Sequence, residues 1–176
     1  QILDLAKLES GKLQLNLEKT DLIAYAKYLV ESFHSFASGR KIQMHFLPES
    51  ESIEMDFDRE KVQAVLSNLL SNAIKFTPEG GHVYIHIGQI MVNAQPTCQI
   101  KVRDTGIGIP EENIGKIFDR FYQVENRVSI GGEGTGIGMA LTRELIQLMR
   151  GTITVHSKMN VGTTFTITLP IVTESQ

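Results

Sequence analysis

Two pairs of alternating segments set the frame for this chain. His82 to Met91 and Thr97 to Arg103 carry apolar side chains at every second residue and are joined by a polar loop containing Pro96. Thr152 to Ser157 and Thr163 to Leu169 repeat the pattern around Lys158–Gly162. Successive side chains of a strand point to opposite faces, so both pairs read as antiparallel hairpins with one face buried. Helices must cover that face. Asp58 is a good N-cap for a helix from Arg59 to about Phe76, with Val62, Val65, Leu66, Leu69, Leu70, Ala73 and Ile74 on one side. Thr20 or Asp21 caps another, with Leu22, Ile23, Ala26, Leu29, Val30 and Phe33 on one face, and Met139 to Met149 forms a third. The expectation is an α+β two-layer sandwich, a mixed and mostly antiparallel sheet covered on one face by about three helices.

Shorter elements fill the rest. Leu13 to Leu17, Lys41 to Leu47 and Ser52 to Phe57 read as strands, and Pro110-Glu-Glu starts a short helix reaching Phe118. An apolar stripe at Ile2, Leu3, Leu5, Ala6 and Leu8 reads as a helix ending near Gly11. The expected organisation is a helix remnant and linker over 1–15, one domain over 16–172 and a tail over 173–176.

The net charge of −3 over 176 residues makes neither nucleic acid nor an anionic membrane an obvious partner. No run approaches the roughly 18 apolar residues needed to cross a bilayer, so a soluble, cytoplasmic domain without membrane contact is expected. Cys98, the single cysteine, excludes an internal disulfide, fits a reducing compartment and reads as core. The chain opens on Gln1 in a helical pattern, which reads as a piece of a longer protein; a membrane anchor of the parent would lie outside it.

Three features carry chemistry. Gly131-Gly132-Glu133-Gly134-Thr135-Gly136-Ile137-Gly138 runs straight into the Met139 helix, so side-chain-free backbone N–H groups and the positive end of a helix dipole face one ligand. An anion, most simply a phosphate chain, is the natural guest. No Lys-Ser/Thr follows the glycines and no Gly-x-Gly-x-x-Gly is present, so neither the P-loop nor the dinucleotide fingerprint applies. Asn68, Asn72 and Lys75 share one helix face, and an amide oxygen suits Mg²⁺ held mainly by phosphates. Asp104 ends a strand at a Gly-x-Gly turn, where a carboxylate can accept from an exocyclic amine.

Together these segments resemble a known family. Asn68-Leu-Leu-Ser-Asn-Ala-Ile-Lys-Phe-Thr-Pro78, Asp104-Thr-Gly-Ile-Gly-Ile-Pro110, Ile117-Phe-Asp-Arg-Phe-Tyr122, Gly134-Thr-Gly-Ile-Gly-Met139 and Gly162-Thr-Thr-Phe165 look like the N, G1, F, G2 and G3 boxes of sensor histidine kinases, in the family's order. The resemblance covers Leu22 to Leu169 and implies the Bergerat ATP-binding fold. It also implies that Asn72 ligates Mg²⁺ on the ATP phosphates with Asn68 beside it, and that Lys75 meets a phosphate. Asp104 would read the adenine amine, and Phe76, Gly106, Gly108 and Ile109 would shape the base pocket. Thr163 would be a second polar contact, and Gly134, Thr135, Gly136, Ile137 and Gly138 would bind phosphates. Tyr122 to Glu133 would form an ATP lid, with Phe118 and Phe121 packing its base.

The implied reaction moves the ATP γ-phosphoryl to a histidine of a dimerisation domain of the same parent, and then to an aspartate of a response-regulator receiver domain. The Ser-His-Glu type box that carries such a histidine is absent from this sequence. His34, His45, His82, His86 and His156 stand in other contexts, and Ile2 to Leu13 resembles the tail of the second dimerisation helix. The hydrolases of the superfamily, of the gyrase, Hsp90 and MutL type, carry a water-activating glutamate four residues before the metal-binding asparagine, where Asn68 stands here. Serine kinases of the anti-sigma type favour the same glutamate. A degenerate signalling module would have no need of Asn72, Asp104 and the glycine loop. Arg150-Gly151 replaces the Gly-Gly of many relatives, with an expected effect only on the start of the following strand.

Overall fold

The computed structural model describes residues 14–120 and 137–173. In chain order it forms β1 (Glu18–Asp21), α1 (Leu22–Ser32), α2 (His34–Gly39), β2 (Gln43–Pro48), β3 (Glu54–Phe57), α3 (Arg59–Lys75), β4 (His82–Val92), β5 (Gln95–Asp104), α4 (Glu111–Ile114), α5 (Ile137–Leu148), β6 (Thr152–Lys158) and β7 (Gly162–Pro170). The expected stripe before Gly11 and the segment Tyr122–Glu133 fall outside the described residues, as do Phe121, Gly134, Thr135 and Gly136.

The main sheet has the order β2-β4-β5-β7-β6, antiparallel except for the β2–β4 pair. That parallel pair needs a crossover, and the path through β3 and α3 supplies it. Alternation sorts the two faces. Val83, Ile85, Ile87, Cys98, Ile100, Val102, Phe165, Ile167 and Leu169 are buried under the helices, while Tyr84, Lys101 and Arg103 lie on the other side. All seven apolar residues expected on the buried side of α3 are at most 4% exposed, and Leu22, Ile23, Ala26, Leu29 and Val30 of α1 complete that layer.

Caps place the helices. Asp21 accepts at Oδ1 from the N–H groups of Ile23 and Ile53, both at 3.0 Å, so one carboxylate starts α1 and ties it to the segment before β3. Asp58 accepts from the N–H of Lys61 at 3.2 Å and from the N–H of Asn16 at 2.8 Å.

Four expectations need correction. The strand near the start is Glu18–Asp21, not Leu13–Leu17; Leu17 is 44% exposed, and the backbone first reaches a partner edge, that of β3, at Glu18↔Phe57. The first hairpin has no loop around Pro96. Asn93 and Ala94 form a two-residue turn with φ of 50° and 65°, the left-handed geometry that matches strand twist, and Pro96 pairs with Met91 inside β5. It stands before Thr97, the first β5 residue paired with β7, at the start of the strand where proline is tolerated. Helix α1 stops at Ser32, so Phe33 belongs to the junction with α2. Regular helix after Pro110 ends at Ile114 instead of Phe118. Arg150 adopts φ +61°, the left-handed position that ends α5, and Gly151 has no room for a Cβ beside the Thr168 carbonyl.

Candidate functional site

A cleft opens between α3, the end of β5 and the first turn of α5. Leu69, Asn72, Ala73, Val102, Asp104, Ile109, Ile117, Met139 and Phe165 line it, and its space is about 390 Å³ counting the open mouth. The lining is apolar with two polar exceptions, Asn72 and Asp104.

Asp104 is 4% exposed at the C-terminal end of β5. Its Oδ1 accepts from the N–H of Gly106 at 2.8 Å and of Thr163 at 3.2 Å, so one oxygen is held by the loop that follows β5 and by β7 across the sheet. Two backbone donors on one carboxylate oxygen fix its plane. Glycine is required around it for a steric reason. A Cβ on Gly106 would meet the carbonyl of Phe76, one on Gly108 that of Lys158, and one on Gly162 that of Asp104 itself. Gly108 at φ +80° and Gly162 at φ +145° also hold backbone shapes that side chains resist.

The opposite end is built from side chains. Asn68 donates from Nδ2 to Thr142 Oγ1 at 2.8 Å and to Met139 Sδ at 3.3 Å, and Asn72 donates to the same sulfur at 3.5 Å. Gly138 lies against the Asn68 amide, 2.6 Å from Oδ1 to a would-be Cβ. The two asparagines thus tie α3 to α5. Asn72 also lines the cleft, and its Oδ1 accepts no hydrogen bond among the described residues.

The structure therefore brings Asn72, Asp104 and Ile109 into the lining of one cleft, with Gly106 bonded to Asp104, Gly108 against the Lys158 carbonyl and Gly138 against the Asn68 amide. Asn68 faces α5 and does not line it. Lys75 is in the last turn of α3, away from the lining, and contributes a carbonyl to Arg40 Nη2 at 3.5 Å. Phe76 supports the site by its carbonyl, which accepts from Ile107 N–H at 3.2 Å. Thr163 is 1% exposed and touches Asp104 through its backbone. Ile137 opens α5. Phe118 packs edge-on to Phe165, with the Arg143 guanidinium 5.5 Å over its ring.

Sequence reasoning missed Leu69, Ala73, Val102, Ile117, Met139 and Phe165 as cleft walls and Thr142 as the anchor of Asn68. Spacing held the signal for some of them. Val102 shares the face of Asp104 at i−2, Leu69 and Ala73 flank Asn72 on the helix, and Thr142 follows Gly138 by one turn and bonds its carbonyl at 2.6 Å.

Known proteins are similar to this chain. Sensor histidine kinase WalK of Bacillus subtilis is 34% identical over 175 residues, covering 99% of this chain and 28% of WalK. The full-length ShkA structure in complex with AMPPNP superposes with a TM-score of 0.85 at 24% identity, over 99% of this chain and 35% of ShkA. Histidine kinase ThkA, in its complex with response regulator protein TrrA, gives 0.76 at 21% identity over 99% of this chain and 48% of ThkA. Among the curated relatives that head the comparison, the chain spans between 11% and 28% of their length. Residues 57–173, which include both ends of the cleft, match the family of histidine kinase-, DNA gyrase B- and HSP90-like ATPases, and this chain belongs to that family.

Proposed function

We propose that the chain is the ATP-binding catalytic domain of a sensor histidine kinase, supplying the γ-phosphoryl group that a histidine of a dimerisation domain accepts and a response regulator's receiver aspartate finally receives. The observation that carries the ATP reading is Asp104, a carboxylate clamped by two backbone N–H groups in a cleft lined mostly by apolar side chains, where it accepts from the adenine amine. Ile109, Val102 and Phe165 give the base its flat apolar walls. Phosphates then extend toward Asn72, Gly138 and the α5 N-terminus, with Lys75, Thr135 and Gly136 as further phosphate contacts and Thr163 as a second contact to the base. The AMPPNP bound to ShkA and the TrrA bound to ThkA support nucleotide and receiver as partners.

Mg²⁺ fits the donor set in one way only. No cluster of three His, Cys, Asp or Glu side chains exists among the described residues. Asn72 lines the cleft and its Oδ1 accepts no hydrogen bond among the described residues, which suits an ion that arrives on the phosphates and keeps several waters. The ion would neutralise phosphate charge there. The chain's own part is to bind, orient and exclude water: the apolar walls fix the base, and the helix N–H groups receive negative charge as the bond to ADP breaks and the bond from histidine nitrogen to phosphorus forms.

Hydrolysis is the second reading, and Asn68 argues against it. An amide cannot take a proton from water, and this one is committed to Thr142 and Met139. The test is incubation with γ-labelled ATP, Mg²⁺ and a separately made dimerisation and acceptor-histidine domain of a relative. Labelled protein that is acid-labile and base-stable is expected; release of inorganic phosphate alone would contradict the kinase assignment.

A further inference from the structure

The face of the main sheet away from the helices takes no part in the cleft. β5 is the middle strand of the five, and Lys101 and Arg103 project from it at i and i+2, both exposed. Neither forms an ion pair among the described residues. One carboxylate reaches this face, that of Glu49, which lies over Gly88 beyond the end of β2 and pairs with neither cation. Register sets their neighbours: Arg103 stands opposite Tyr84 on β4 and Thr164 on β7, and Lys101 opposite His86 and Thr166.

Arg103 is unpaired but held. Its guanidinium carbon lies 4.1 Å from the centroid of the Tyr84 ring. From β2, the strand on the other side of β4, His45 stacks on the same ring at 4.6 Å with 13° between the planes, and its Nε2 lies 3.0 Å from His82 Nδ1. A guanidinium laid on a ring uses its flat face there and keeps its N–H edges for a ligand. Those edges form a planar fork that matches the two oxygens of a carboxylate. Because stacking orients the fork in advance, less side-chain freedom is lost when an anion binds.

We infer that this face is a docking surface for an acidic protein segment, which presents two carboxylates, spaced as alternate residues of a strand, to Arg103 and Lys101. Charge favours such a segment over nucleic acid. The whole chain carries −3, so a long polyanion drawn to two cations meets repulsion from the rest of the molecule. The flanks also lack the run of cations a polyanion needs: Lys158, at the end of edge strand β6, is the one further lysine or arginine on this face among the described residues. Tyr and Arg at the centre with threonine hydroxyls beside them is the composition of a protein interface. Five strands about 4.8 Å apart span only ~19 Å, so the contact is small, weak and sensitive to salt.

The test is an NMR titration of the isotope-labelled whole chain, at low salt, with a twenty-residue oligoglutamate, and in parallel with an oligothymidylate of equal charge. The readout needs no nucleotide. Oligoglutamate should shift the amides of β4, β5 and β7 around Tyr84, Lys101, Arg103 and Thr166, and the shifts should saturate. Arg103→Lys keeps the charge and loses the fork, so Kd should rise about tenfold, the size of one charge-assisted hydrogen bond. Tyr84→Leu keeps both cations and loses the stack, and should weaken binding several-fold; should that variant not fold, Arg103→Lys, at an exposed position, decides alone. Shifts that are absent, that fall elsewhere on the chain, or that persist at equal Kd in Arg103→Lys would overturn the inference. Oligothymidylate binding as tightly as oligoglutamate would overturn it too, because the face would then attract any polyanion.

Discussion

The two ends of the cleft are made by different means. At the base end the chain itself is the scaffold: Asp104 Oδ1 is held by the N–H groups of Gly106 and Thr163, and Gly106, Gly108 and Gly162 lie against carbonyls that leave no room for a Cβ. At the phosphate end the contacts are between side chains, with the amides of Asn68 and Asn72 reaching Thr142 and the thioether of Met139 across two helices. A site clamped by backbone is set once the sheet has formed, and its geometry costs nothing to reorganise on binding. A site tied by soft side-chain contacts can re-form around a ligand. On the proposed reading, the base end identifies the nucleotide and the phosphate end adapts to it.

Substitutions at the base end should cost most. Gly162→Ala places a methyl group on the Asp104 carbonyl at φ +145°, so a loss of about 3 kcal/mol or more in unfolding free energy is expected by denaturant titration, together with loss of nucleotide binding. A phosphate-end change is milder. Thr142→Val removes the acceptor of Asn68 Nδ2 while keeping its shape, and about 1 kcal/mol of stability should go, with nucleotide affinity falling only several-fold. If Thr142→Val matched Gly162→Ala in either measurement, the contrast between the ends would be wrong.

Much of this was legible before the structure, and unevenly so. Alternation in β4, β5 and β7 and the 3.6-residue period of α3 showed the two layers, because burial on one face is written directly into the spacing of apolar residues. The base end was legible for a related reason, since a Gly-x-Gly turn after an aspartate is a local backbone requirement. What spacing could not show was contact between distant elements. The tie of Asn68 to Thr142 spans 74 positions, and the bond from Ile109 to Ser157 spans 48. The Asn93–Ala94 turn was hidden for a different reason: Pro96 looked like a loop residue, but it stands at a strand start that tolerates it.

A third effect, confined to alkaline pH, is at neither end. Cys98 lies on the same strand as Asp104, fully buried, and desolvation pushes its thiol from 9.0 up to about 12. The folded chain holds that proton more tightly than the unfolded one, so the contribution is complete below pH 9 and is lost as pH rises from 9 toward 12. Melting temperature should decline over that window, and Cys98→Ala, though less stable at neutral pH, should lack that part of the slope. Thiol reagents should leave the folded chain unmodified at neutral pH.

The most direct test of the account is calorimetric titration of AMPPNP, with and without Mg²⁺, into the chain and into Asp104→Asn. Asparagine keeps the shape of the side chain but removes its charge and puts an amide donor against the adenine amine or the backbone N–H groups. The account predicts micromolar, Mg²⁺-enhanced binding by the unsubstituted chain, weakened at least about 100-fold in Asp104→Asn at unchanged fold, in line with the cost of leaving a buried recognition group unpaired. Equal binding by the two proteins would contradict it, because the clamped carboxylate would then not be what reads the base.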